Sequence, residues 1–274
     1  MHLLKRLATL LALTALLGLI GCSSLTLAYQ QFPLLAGLWA NTYLDLDSAQ
    51  RGQLKAQLQA WQAWHRREEL PQWIALLHQA HAALDDGVTQ DELLALERGG
   101  RASAERCLQH AAPLLAPVLA SLKPDQWQHL KAKMDEKSLE WREKYAGSDG
   151  ADERAKRYIT NLERSVGDLD RATRKQARAE ALGWRFDLPA MAQARATRET
   201  RTLEALRAWS HQDLAGGTTL LMSNLLPQPA EQPYREQIIA SVLKLLNGMN
   251  AEQLADVRKY WADRAEELRK LQTG

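Results

Sequence analysis

The chain is poor in the features that usually announce a chemistry. Two cysteines in 274 residues allow at most one disulfide, which excludes a disulfide-stapled scaffold. Two phenylalanines stand against nine tryptophans, so the aromatic part of any core or cleft is built from Trp. No stretch alternates apolar and polar residues with a period of two, which removes the half-buried strand as a building unit. There is no H-E-x-x-H, paired E-x-x-H, C-x-x-C or G-x-S-x-G motif, no phosphate loop and no dinucleotide fingerprint, so no metal, nucleophile or nucleotide chemistry is carried by a local motif. Nor does one sign of charge prevail, with 35 Lys+Arg against 33 Asp+Glu.

What the sequence does have begins at its first residues. Lys5 and Arg6 precede an apolar run, Leu7 to Ile20, that is too short for a spanning helix of roughly 20 apolar residues. The run stops at Leu19-Ile20-Gly21-Cys22, followed by Ser23-Ser24. The order is that of a secretory signal, residues 1–21. Leu-Ile-Gly-Cys resembles the lipobox of bacterial lipoproteins, which implies cleavage before Cys22 and a diacylglycerol and an N-acyl chain (palmitate among them) on that residue. No other cofactor is expected. Ser rather than Asp at position 23 resembles sorting signals for the outer membrane, which places the body in the periplasm. Acyl chains suffice as an anchor, because each buried methylene contributes roughly 0.8 kcal/mol. Removing Lys5 and Arg6 leaves 33 charges of each sign in a mature chain of 253 residues. That balance argues against a nucleic-acid partner, which needs clustered positive charge.

With Cys22 consumed by lipid, Cys107 has no partner. Ala104, Cys107, Leu108, Ala111 and Leu115 share a helical face, so Cys107 reads as a small buried hydrophobe. Its i,i+3 neighbour His110 leaves a Cys–His nucleophilic pair as the alternative.

After Asp47 the patterning is helical throughout, and the expected fold class is all-α, a multi-helix body. Leu54, Leu58, Trp61 and His65 form one stripe; Trp127, Leu130, Met134 and Trp141 form another. Breaks are expected at Asp85-Asp86-Gly87, Gly147–Gly150, Gly216-Gly217 and Pro227–Pro233. Residues 22–45 are apolar and irregular, with Pro33 and Gly37 inside, and are expected to be a lipidated tether packed on the body.

A repeat runs through the helical part: an apolar residue, Gln four on, and a second apolar residue four further. Copies are Leu46-Gln50-Leu54, Leu122-Gln126-Leu130 and Met249-Gln253-Val257, with a degenerate copy Leu169-Thr173-Ala177. Leu46 and Leu169 lie 123 residues apart, Leu122 and Met249 127 apart. The near-equality suggests two duplicated helical halves, residues 46–147 and 151–274. Locally the motif is a helix start: Asp47, Asp170 and Asn250 are N-caps, Gln sits at the third position of a capping box, and Pro124 takes the first turn. The frame also resembles the L-T-x-x-Q motif of Spy-type periplasmic chaperones.

Tyr43-Leu44-Asp45-Leu46-Asp47 to Gln50, followed by Trp64-His65-Arg66-Arg67-Glu68-Glu69-Leu70-Pro71 and later Arg154 to Arg157, resembles a family of uncharacterised proteobacterial lipoproteins carrying a W-H-R-x-E-L-P signature. The resemblance implies a lipidated helical body and no assigned activity.

The densest candidate site is Trp61, Trp64, His65, Arg66 and Glu69. His65 and Glu69 are i,i+4, Arg66 and Glu69 i,i+3, and Pro71 is expected to end or kink the helix. One reading is a polar pocket in which Glu69 orients His65 as acid, base or ligand, with Trp61, Trp64 and Trp73 lining a cleft. The other is a helix-terminal charge network. His78 and His81, at i,i+3 on the next stretch, are with His65 the candidate metal ligands. The expected function is that of an outer-membrane lipoprotein binding a protein or envelope component through a helical surface; an enzyme or metal binder centred on His65 and Glu69 is the alternative.

Overall fold

The computed structural model describes residues 24–273. The signal segment and Cys22 lie outside the described residues. Among those described there is no strand, and the fold is all-α. The helices are α1 (Ser24–Gln30), α2 (Phe32–Leu44), α3 (Ser48–Ala82), α4 (Gln90–Ala120), α5 (Pro124–Ala146), α6 (Gly150–Val166), α7 (Arg171–Leu182), α8 (Leu188–Ser210), α9 (Leu214–Ser223), α10 (Gln232–Asn247) and α11 (Ala251–Thr273), with a 3₁₀ turn at Pro229–Glu231.

The helix starts follow from their caps. Asp47 accepts from the Gln50 N–H at 3.0 Å while the Gln50 amide oxygen accepts from the Asp47 N–H at 3.0 Å. Asn250 and Gln253 repeat the same box at 2.8 and 2.9 Å. Asp170 accepts from the N–H groups of Ala172 and Thr173, and the Gln126 side chain accepts from the Lys123 N–H at 2.9 Å. Each such cap contributes about 1 kcal/mol.

The repeat has a tertiary role that its local reading misses. Gln50 and Gln126 are buried and exchange amide hydrogen bonds, Nε2 of each on Oε1 of the other, at 3.1 and 2.8 Å. Each also donates to a carbonyl at the other's helix start: Gln50 to Ser121, Gln126 to Asp45. The starts of α3 and α5 are thereby clamped together. In the second half, Gln253 Nε2 donates to Asp170 Oδ2 at 2.6 Å and to Thr173 Oγ1 at 3.0 Å, clamping α11 to α7.

Several breaks fall elsewhere than the sequence suggests. Pro71 neither ends α3 nor starts a new helix; α3 runs through it to Ala82. The missing N–H costs one hydrogen bond, and burial of the neighbouring Leu70 and Ile74 against the core offsets it. Gly216 and Gly217 do not form a loop but sit in the first turn of α9. There the lack of side chains lets α9 press onto α8. A Cβ at Gly217 would collide with Trp209 Cδ1 and lie 2.7 Å from the Ala205 carbonyl. The tether is helical rather than irregular, with Pro33 in the first turn of α2.

Two hydrophobic cores result, each around a tryptophan. One gathers Leu46, Leu54, Ala112, Val118, Leu119 and Trp209, from α3, the end of α4 and α8. The other gathers Leu84, Tyr158, Ile159, Leu162, Leu246 and Trp261, from the α3–α4 turn, α6, α10 and α11. The cores therefore do not coincide with residues 46–147 and 151–274: Trp209 of the second stretch completes the core of the first. Helix α3, about 52 Å long at 1.5 Å per residue, reaches both.

Candidate functional site

The His65–Glu69 cluster forms on the middle of α3, but its partners differ from those the spacing suggests. Glu69 is 1% exposed. Its Oε2 accepts from Ser103 Oγ at 2.7 Å, and its two oxygens accept from Arg106 Nε and Nη2 at 2.6 and 2.9 Å. The guanidinium is that of Arg106 on α4, not of Arg66. Burial pushes the Glu69 carboxyl up, yet the hydrogen bonds from Arg106 and Ser103 outweigh it and hold the group below the usual carboxylate range. Arg66 instead lies over the Tyr29 ring at 5.8 Å, its Nε buried and without a hydrogen-bond partner among the described residues.

His65 turns to the tether. Its Nδ1 is 3.0 Å from the Tyr29 hydroxyl, and its ring leans on Trp61 with centroids 4.8 Å apart. Burial pushes the imidazole below its ordinary value, and the Glu69 charge only partly offsets this. Trp61 donates to the Cys107 carbonyl at 3.1 Å and meets Phe32 of α2. Trp64 stacks on His110, centroids 4.2 Å apart and planes nearly parallel, while Trp73 is partly exposed beside Gly100. Cys107 is half-buried rather than fully buried. Its thiol is pushed up to about 11, by burial first and then by the Glu69 charge, which is the wrong direction for an activated nucleophile. The cluster thus ties α1, α2, α3 and α4 together, with its one buried carboxylate already saturated.

The three candidate metal ligands are not brought together. His78 Nε2 lies 2.9 Å from Arg269 Nη2, and His78 and His81 face Trp261 in a shallow recess. His65 is roughly 20 Å away along the α3 axis from His78. Among the described residues no group of three His, Cys, Asp or Glu is placed to hold a metal ion.

The principal cleft lies elsewhere, between α5, α6, α8 and α10, with a volume of about 800 Å³. That is the size range of small-ligand sites. One wall runs along α5 through Lys137, Trp141 and Tyr145; another carries Arg154, Arg157 and Tyr158 of α6. Phe186 and Tyr234 meet edge-to-face at 5.2 Å across it. Its acids are engaged: Glu199 with Arg195, Glu231 with Arg198, and Glu97 with Arg101 and Arg235. Arg154 and Arg157 have no carboxylate partner among the described residues. Arg154 lies over the Phe186 ring at 4.3 Å. Arg157 donates to the Tyr145 hydroxyl at 3.3 Å. Burial pushes the Tyr234 hydroxyl up, with the charges of Arg154 and Arg157 acting in the opposite sense. An anion attached to an apolar or planar body fits such a lining, because guanidinium forks pair with anionic oxygens while aromatic faces take the remainder. Of this lining, the sequence pattern marks Met134 and Trp141, as part of one helical stripe, and the basic run Arg154 to Arg157, but not the cleft they form.

An all-helical body with a basic aromatic cleft defines a class of architecture rather than an activity. The family assignment is more specific: a family model described as a family of unknown function (DUF6279) matches residues 42–225, and the chain belongs to that family. No curated protein and no solved structure matches the chain.

Proposed function

We propose that this protein is a lipid-anchored envelope protein, held at the outer membrane through Cys22 and facing the periplasm, whose body binds an acidic envelope component in the α5–α6–α8–α10 cleft. The anchor reading is supported by Lys5-Arg6, the apolar run and Leu19-Ile20-Gly21-Cys22 in that order. The binding reading is carried by one observation: Arg154 and Arg157 stand in a ligand-sized aromatic cleft without a carboxylate opposite, while Glu97, Glu199 and Glu231 are already paired.

The test uses an aromatic sulfonate, anilinonaphthalene sulfonate, as probe on the purified mature protein. Saturable one-to-one fluorescence enhancement is expected. The Arg154→Ala/Arg157→Ala double variant should bind at least about 100-fold more weakly, since the two charge-assisted hydrogen bonds lost contribute about 1.5 kcal/mol or more each. Lys131→Ala, on the exposed face of α5, should bind like the parent. Equal affinity in the double variant, with an unchanged circular dichroism spectrum, would refute the cleft.

The same reading includes an internal duplication. It is supported by the repeat spacing and by the way each half joins its two helix starts through a Gln side chain, Gln50 with Gln126 and Gln253 with Asp170 and Thr173.

A further inference from the structure

Helices α1 and α2 form an almost continuous rod: the Gln31 N–H donates to the Leu27 carbonyl and the Leu35 N–H to the Gln31 carbonyl, both at 3.0 Å. One side of this rod is used by the body. Tyr29 reaches His65, the Tyr29 carbonyl accepts from Gln62, Phe32 meets Trp61, and Pro33 is buried. The other side is bare and largely apolar, with Gln31 and Thr42 as exposed polar residues in the same arc. Leu27, Leu34, Leu35, Leu38 and Trp39 are 58, 52, 50, 59 and 65% exposed. At 100° per residue they fall within one arc of about 140°. Exposed apolar area of this kind marks a binding surface.

The surroundings identify what covers it. No charged residue occurs between Arg6 and Asp45, so the face offers nothing to a charged partner and no charge opposes transfer into an apolar phase. Cys22 precedes Ser24, the first residue of α1, by two residues, which span at most about 7 Å. An acylated Cys22 therefore keeps the start of the rod at the bilayer surface. Trp39, tilted against Tyr43 with centroids 4.9 Å apart, is a side chain suited to the headgroup boundary. Among the described residues no helix is long and apolar enough to cross a membrane, and one side of the rod is held against the body through Tyr29, Phe32 and Pro33, so the rod would lie in the surface plane rather than span it.

We propose that the Leu27–Trp39 face is a membrane-seating surface, inserted at the boundary between headgroups and acyl chains of the bilayer that holds Cys22. This rests on the anchor reading given above. The face fixes the body's orientation, which a flexible tether would leave free. Trp39 and Tyr43 also line the cleft, so seating brings the cleft rim to headgroup level.

The experiment uses the full lipidated chain in phosphatidylethanolamine/phosphatidylglycerol vesicles, with Cys107→Ala and one added cysteine carrying an environment-sensitive fluorophore. Leu38→Cys reports the face. Asp86→Cys, in the exposed turn after α3, reports the body. Mass spectrometry of the mature chain reads the lipid on Cys22 separately. The Leu38 label should be quenched at least about fivefold more by shallow lipid-borne nitroxides than the Asp86 label, and the Asp86 label alone should be open to iodide. A lipidated chain whose Leu38 label is as open to iodide as Asp86 overturns the face and keeps the anchor. A Leu38 label shielded from both quenchers also overturns it, because a second copy or another protein then covers the face. A chain without lipid that still shows nitroxide quenching at Leu38 keeps the face and removes the anchor. Leu34→Cys, equally exposed, repeats the measurement at a second position.

Discussion

Replacing Arg106 by Ala isolates the buried carboxylate of Glu69. In the native protein Glu69 is 1% exposed, and the Arg106 side chain that covers it is 42% exposed. The substitution removes two charge-assisted hydrogen bonds, each of about 1.5–3 kcal/mol, and leaves only Ser103 as donor. A fully buried pair broken in this way would cost about 3–5 kcal/mol. Water can enter where the half-exposed guanidinium was, so the expected loss is smaller, about 2–3 kcal/mol at pH 7.5. That corresponds to a fall in Tm of roughly 5–10 °C for a chain of this size. The pH dependence supplies the sharper test. In the wild type the Glu69 pKa is lowered on folding, so its stabilising contribution is present above the unfolded value and is lost as pH falls through the folded one. In Arg106→Ala burial dominates and the folded pKa rises above the unfolded value. The native variant then takes up a proton on acidification and regains stability. The deficit between the two proteins should therefore narrow from pH 7.5 towards pH 4.5. Urea denaturation at both values measures it. A deficit below about 0.5 kcal/mol, or one that is equal at both pH values, would refute the account. Because Glu69 spends its hydrogen bonds on Arg106 and Ser103, Glu69→Gln should couple strongly to Arg106→Ala in a double-mutant cycle and weakly to His65→Ala.

Two further outcomes are expected. Gly217→Ala should destabilise by about 1–3 kcal/mol, read from the denaturant midpoint, because its Cβ would lie 2.7 Å from the Ala205 carbonyl and against Trp209; an unchanged midpoint would mean that α9 does not press on α8 as described. Cys107, with its thiol pushed up to about 11, should react with iodoacetamide at pH 8 at least about tenfold more slowly than in urea-unfolded protein, as followed by mass; equal rates would contradict its burial.

Local signals carried the local structure. The caps at Asp47, Asp170 and Asn250 were legible because a capping box is a contact between residues three apart, and the helical class was legible because each stripe lies within one helix. Contacts between helices were not. Nothing near Glu69 in the sequence marks Arg106, 37 residues on, as its partner, and the adjacent Arg66 is the natural expectation. Gly216-Gly217 has the composition of a turn; only the presence of Trp209 on the facing helix shows that the missing side chains make room for close packing. The cleft was the least legible part, since its lining runs from Trp39 to Val242 and its acids and bases are sorted only by the tertiary fold. Lys137, Trp141 and Tyr145 do recur every four residues on α5, a signal that could have marked one wall.

Helix α3 is a wall common to both cores: Leu54 belongs to one, Ala80 to the other. Neither core can come apart without stripping cover from the shared helix, so loss of one weakens the other. The two cores are therefore coupled through one shared helix, and a substitution that loosens one is expected to weaken the other. A strain applied at the rod end, where Tyr29 touches His65, bears on the same rigid element that carries Leu77 and Ala80 to the far core.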